Sequence, residues 1–222
     1  MNDRKRQNLD KPEVRIFSNL FRILIFEFRI FQASALAFLM LGLSPSRAAA
    51  HLVTTGMGPV YDGIGHLLLT PEDLVPVLAL ALYAGLRGTA AGRRIMFLLP
   101  LAWFVGGLAG LTVNIAASGS IPALSFLILG GLVAADLCLP AAAVTALAIA
   151  LGLVHGFLNG AAFQGGAGTF GLLGIMTMLF VLVTLISALV VSLKKPWTRI
   201  AVRVAGSWIA ATGLLMFGWA MR

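Results

Sequence analysis

Apolar residues fall in long unbroken runs along the chain, and polar residues are confined to the short stretches between them. Runs over residues 71–86, 95–117, 121–137, 139–160, 170–193 and 200–220 are separated by Arg87-Gly88, Ser118-Gly119-Ser120, Leu137-Cys138, Gly165-Gly166-Ala167-Gly168 and Lys194-Lys195-Pro196. A bilayer crossing takes about 20 predominantly apolar residues, so the pattern predicts six transmembrane helices. The expected fold class is all-α, a polytopic membrane helical bundle. No convincing internal repeat relates the halves, so an inverted-repeat transporter is not supported.

The first 50 residues read differently. Arg4, Lys5, Arg6, Lys11, Arg15, Arg22 and Arg29 precede an apolar run over 30–43, followed by Ser44-Pro45-Ser46-Arg47-Ala48-Ala49-Ala50. Basic lead, short apolar core and small-residue end are the order of a secretory signal peptide. Cleavage after Ala50 is expected, leaving residues 51–222 as a single six-helix domain with a short outer segment over 51–70. Within that segment, Gly56 to Leu69 is expected to lead into a short helix near the membrane interface.

Composition strengthens the membrane reading and removes an alternative. The chain is 59% hydrophobic and 11% charged, with a net charge of +8. In a soluble protein that charge would suggest nucleic acid; here the basic residues cluster between apolar segments, as the positive-inside rule requires. Arg87, Arg93, Arg94, Lys194, Lys195, Arg199 and Arg203 share one side of a six-crossing topology, against Arg222 alone on the other. Residues 88–92 and 194–198 are therefore expected in the cytoplasm and 118–120 and 161–168 outside. The predicted location is a bacterial-type inner (cytoplasmic) membrane, with the mature N-terminus outside.

That topology gathers the ligand-type side chains. His51, Asp62 and His66 precede the first helix, Asn114 ends the second, and His155 and Asn159 lie one turn apart near the end of the fourth. All three histidines fall on the outer face. Imidazoles with a carboxylate suit nickel, zinc, cobalt or copper, so His66, His155, Asp62 and His51 are the expected metal ligands, with Asn159 and Asn114 beside them. Gly152, Gly156 and Gly160, like Gly106, Gly107 and Gly110, would let helices approach closely. Thr70-Pro71-Glu72-Asp73 reads as a helix start, with Asp73 at capping-box spacing from Thr70; capping is the favoured role of Glu72 and Asp73, and metal ligation the alternative. Cys138, the single cysteine, is expected to pack, and Asp136 to end a helix or turn. No phosphate-binding glycine loop and no serine in a nucleophile-elbow setting is present, so no enzymatic activity is expected.

A leader ending in Ala-His, an outer His/Asp/His segment and a His155-Gly156-x-x-x-Gly160 motif on the fourth of six helices resemble the HupE/UreJ family, nickel permease-like accessory proteins of hydrogenase and urease clusters. Asn159 and Ala162 stand where that family carries a second His and a Glu. The resemblance implies binding of a divalent metal, nickel foremost, for import or delivery to metalloenzyme maturation proteins. A non-transporting accessory or binding protein is the alternative, and an intramembrane metalloenzyme the third reading. Between the outer cluster and the cytoplasmic ends the polar side chains are few, mainly Thr112, Ser125, Thr145, Thr177, Thr184 and Ser187. Only the lipid bilayer, the ion and maturation proteins are expected as partners.

Overall fold

A computed structural model describes residues 55–113 and 120–221. Seven helices and no strands occur among them: α1 Pro59–Leu69, α2 Pro71–Arg87, α3 Thr89–Gly110, α4 Ser120–Ala135, α5 Ala141–Ala162, α6 Gly168–Ser192 and α7 Pro196–Ala220. The expected signal peptide, His51 and Asn114 lie outside the described residues. The protein is all-helical and membrane-spanning. α3, α5, α6 and α7 are each long and apolar enough to cross a bilayer. α1 and α2 pass that test only together, as one span bent by 75°. α4 has 16 residues, about 24 Å at 1.5 Å per residue, less than the roughly 30 Å of a hydrocarbon core. The six equal crossings expected from the apolar runs are thus four full-length helices, one broken span and one short helix.

Boundaries shift where turn chemistry overrides hydropathy. α3 begins at Thr89, six residues before the apolar run, because Arg93 and Arg94 point outward from its first turns and remain exposed. α7 begins at Pro196, which needs no N–H donor in a first helical turn. α5 is preceded by Pro140 in extended conformation.

α2 is the central element and touches each of the other six helices. Its Val77, Leu80, Tyr83 and Ala84 are fully enclosed. Around it, the partners are locked pairwise by glycine. α3 and α5 interlock along most of their length: a Cβ at Gly156 would collide with the Trp103 carbonyl, one at Gly160 with the Gly107 carbonyl, and one at Gly110 with the Phe157 carbonyl. α4 and α7 pair in the same way, with Gly130 against the Ala210 amide and Gly213 against the Leu127 amide. α1 lies on α6, where Gly63 meets Gly171 and Gly174 meets Val60. Without water to satisfy the backbone and with lipid as apolar as leucine, such close approach is how membrane helices gain packing energy.

At the basic end, Asp136 adopts a left-handed backbone conformation (φ 53°) just after α4. Its carboxylate pairs with Arg87 at the end of α2 and with Arg199 of α7. Cys138 does not pack in the interior as expected: it is exposed, and the Arg87 guanidinium lies 2.6 Å from its Sγ. It falls in the connection between α4 and α5, outside either helix.

Candidate functional site

At the opposite end of α2, Asp73 occupies the first turn, but its side chain does not cap the helix. A capping-box carboxylate would accept the Thr70 N–H, and that N–H is already donated to the His66 carbonyl at 3.0 Å, closing α1. Thr70 makes no side-chain cap either. The Thr70 carbonyl takes the amides of Asp73 and Leu74 instead. Asp73 thereby falls in phase with Val77, Leu80 and Ala84, on the face that α2 buries, whereas Glu72 is exposed.

Three helices converge on this carboxylate. Its Oδ1 accepts from His155 Nδ1 at 2.8 Å and its Oδ2 from Asn159 Nδ2 at 2.8 Å. His66, on the last turn of α1, brings Nε2 to 3.7 Å from Oδ2, an electrostatic contact beyond hydrogen-bond length. The four residues are 1–7% exposed. Their placement follows from local sequence. His155 and Asn159 are four apart on α5, so both project from one side. The α3–α5 glycine contacts at Gly156 and Gly160 set that side against α3, where the Trp103 ring lies 5.5 Å from the His155 ring. Phe163, just past α5, meets His66 edge-on at 5.0 Å between centroids.

Beyond His155 the series continues to Ser125 of α4, whose Oγ is 2.9 Å from Nε2. Ser125 Oγ stands between this ring nitrogen and the Ile121 carbonyl, 3.2 Å away, so its one proton serves a single acceptor at a time. Ser125–His155–Asp73 has the connectivity of a hydrolase triad. Ser125 sits inside α4, however, where the neighbouring backbone N–H groups are committed to the helix and cannot hold an oxyanion. The arrangement is suited to fixing a carboxylate, not to launching a nucleophile.

Two buried polar atoms near the cluster have no partner among the described residues: Asn159 Oδ1 and Trp103 Nε1. An orphaned carbonyl oxygen beside a carboxylate and two imidazoles is the donor chemistry of a divalent transition-metal site. Yet among the described residues no three His, Cys, Asp or Glu side chains form a ready cage. His155 Nδ1 and Asn159 Nδ2 direct protons at Asp73, so only His66, Asp73 and Asn159 Oδ1 have lone pairs to offer in this arrangement.

Of the residues singled out from sequence, His66, His155 and Asn159 come together. Asp62 instead accepts from the Thr55 amide at 2.6 Å and the Thr55 hydroxyl at 2.7 Å, tying the lead-in segment to α1. The carboxylate beside the histidines is Asp73, which the capping reading had absorbed. Its signal was present in the sequence: with the helix started at Pro71, Asp73 shares the i, i+4, i+7 stripe of Val77 and Leu80, and an acid on an apolar stripe needs a partner.

No curated protein and no solved structure matches the chain. Residues 38–216 match the family model described as HupE / UreJ protein. The matched span takes in α1 through most of α7, and with them His66, Asp73, Ser125, His155 and Asn159. The chain belongs to the HupE/UreJ family.

Proposed function

We propose that the protein captures a divalent transition-metal ion, nickel foremost, at its histidine-bearing end and hands it on for import or metalloenzyme maturation, with that end facing outward. The observation that carries this reading is the buried Asp73 carboxylate of α2, shared by residues of two further helices, α1 and α5, and neighboured by the unpartnered Asn159 Oδ1. The ion is cargo. His66, Asp73 and Asn159 Oδ1 would meet it directly, while His155, in contact with Ser125, would hold the carboxylate in position, as outer partners of metal ligands do. Cargo needs incomplete coordination, because an ion fully enclosed by protein ligands would not be released.

The hydroxyls at depth favour delivery over a continuous polar pathway. Thr145, Thr177 and Thr184 each return their hydroxyl to a carbonyl one turn back on their own helix, at 2.9, 2.9 and 2.7 Å, so their protons are committed locally. A non-transporting accessory protein is accordingly the second reading.

Metal content of the full chain purified in detergent tests the proposal. Asp73→Asn and His66→Ala should each abolish stoichiometric nickel, cobalt or zinc binding, and the pair together should add little, as for residues acting as a unit. Undiminished binding by a folded His66→Ala/Asp73→Asn protein would sink it and leave a cluster that only joins helices.

A further inference from the structure

A second concavity lies at the other end of the bundle, where α6 and α7 diverge and the end of α2 meets them. It measures about 310 Å³. Leu86, Val190, Leu193 and Val202 are among its apolar lining residues, and Lys194, Lys195 and Arg199 are its charged ones. Neither lysine has a carboxylate partner among the described residues, and the single carboxylate nearby, Asp136, is already shared by Arg87 and Arg199. Cationic charge thus exceeds anionic charge at this site.

We propose that this cavity binds the phosphate headgroup of an anionic membrane phospholipid. Two lysines and an arginine in its lining supply the charge complement of a phosphate. The first turn of α7, which begins at Pro196 without a side-chain cap, adds the positive end of a 25-residue helix. The apolar lining and the exposed apolar residues near it in sequence distinguish a lipid from a soluble anion: Leu193 lines the cavity, and Leu189, Leu193 and Trp197 are 55%, 38% and 60% exposed, apolar surface for acyl chains. The volume is at the lower end of small-molecule sites, about 300–1,000 Å³, room for a headgroup. Basic recesses between helices at this kind of membrane boundary are suited to acidic lipids.

Native mass spectrometry of the full chain released from mixed micelles of phosphatidylglycerol and phosphatidylcholine tests this. One phosphatidylglycerol should stay bound per protein where phosphatidylcholine does not. Lys194→Ser/Lys195→Ser should weaken retention about 30-fold, the effect of two interfacial cations, while Lys194→Arg/Lys195→Arg keeps it. Arg93→Ser/Arg94→Ser removes the same charge from the first turns of α3 and should leave retention unchanged. Equal retention of both lipids, or equal loss in the two serine variants, would overturn a defined site. Complete displacement by millimolar inorganic phosphate would overturn the lipid assignment in favour of a free anion.

Discussion

Replacing Asp73 should destabilise the fold by an amount that its hydrogen bonds determine. Its carboxylate satisfies two buried donors, His155 Nδ1 and Asn159 Nδ2, each at 2.8 Å. A buried donor left without an acceptor costs about 1–3 kcal/mol. Asp73→Asn keeps one acceptor oxygen and orphans one donor, so about 1–3 kcal/mol is expected; Asp73→Leu orphans both, for about 2–6 kcal/mol. At roughly 2–4 °C per kcal/mol for a chain of this size, these correspond to Tm losses of about 2–12 °C and 4–24 °C. Scanning fluorimetry in one detergent measures both. The decisive comparison adds His155→Leu: once Asp73 is gone, removing the orphaned imidazole should restore part of the loss, with a coupling of about 1–3 kcal/mol. Strict additivity, or a Tm for Asp73→Leu within 2 °C or so of the parent, would refute the claim that this carboxylate organises the helix ends.

Gly156→Ala should cost about 1–3 kcal/mol or more, because its Cβ meets the Trp103 carbonyl, whereas Gly131→Ala, with nothing within 4 Å, should be neutral or stabilising; size-exclusion yield of folded protein separates them. Arg87→Ala should be costly, about 3–5 kcal/mol, since the Arg87 and Asp136 side chains are only 10% and 12% exposed, while Arg199→Ala, 54% exposed, should cost under about 1 kcal/mol; equal Tm shifts would contradict this ranking. Intact mass of membrane-extracted protein should show a chain beginning at His51, and an intact 1–50 segment would exclude cleavage. Impermeant thiol reagents should label single cysteines at 161–168, and not at 88–92, from outside intact cells in a Cys138→Ala background; the reverse would invert the topology.

The apolar runs made most of the fold legible, since each long run became a helix and each glycine-rich strip became a helix contact. What they concealed was inequality between the helices. α4 and the α1–α2 pair read as ordinary crossings because hydropathy records how greasy a stretch is, not how long the helix around it remains straight. The site was partly legible. His66, His155 and Asn159 are rare polar residues in apolar surroundings and stood out for that reason. Asp73 was hidden because Thr-Pro-x-Asp is also a good helix start, and only the neighbouring turn, in which Thr70 gives its N–H to His66, decides between the two uses of the acid. Ser125 stood out only as one of the few hydroxyls at depth and not as a partner of His155, because one hydroxyl in a membrane helix usually bonds its own backbone, as Ser125 also does toward the Ile121 carbonyl at 3.2 Å.

The 75° bend at Thr70 has a metrical consequence. Seven residues of straight helix would set His66 and Asp73 about 10 Å apart along the axis, too far to share an ion; across the bend their side chains approach to 3.7 Å. The spacing of the two groups is therefore governed by one joint between α1 and α2, not by side-chain rotamers alone. A few degrees of opening at that joint would carry His66 away from a carboxylate that stays anchored to α5, turning the pair into tweezers whose grip is set by the backbone.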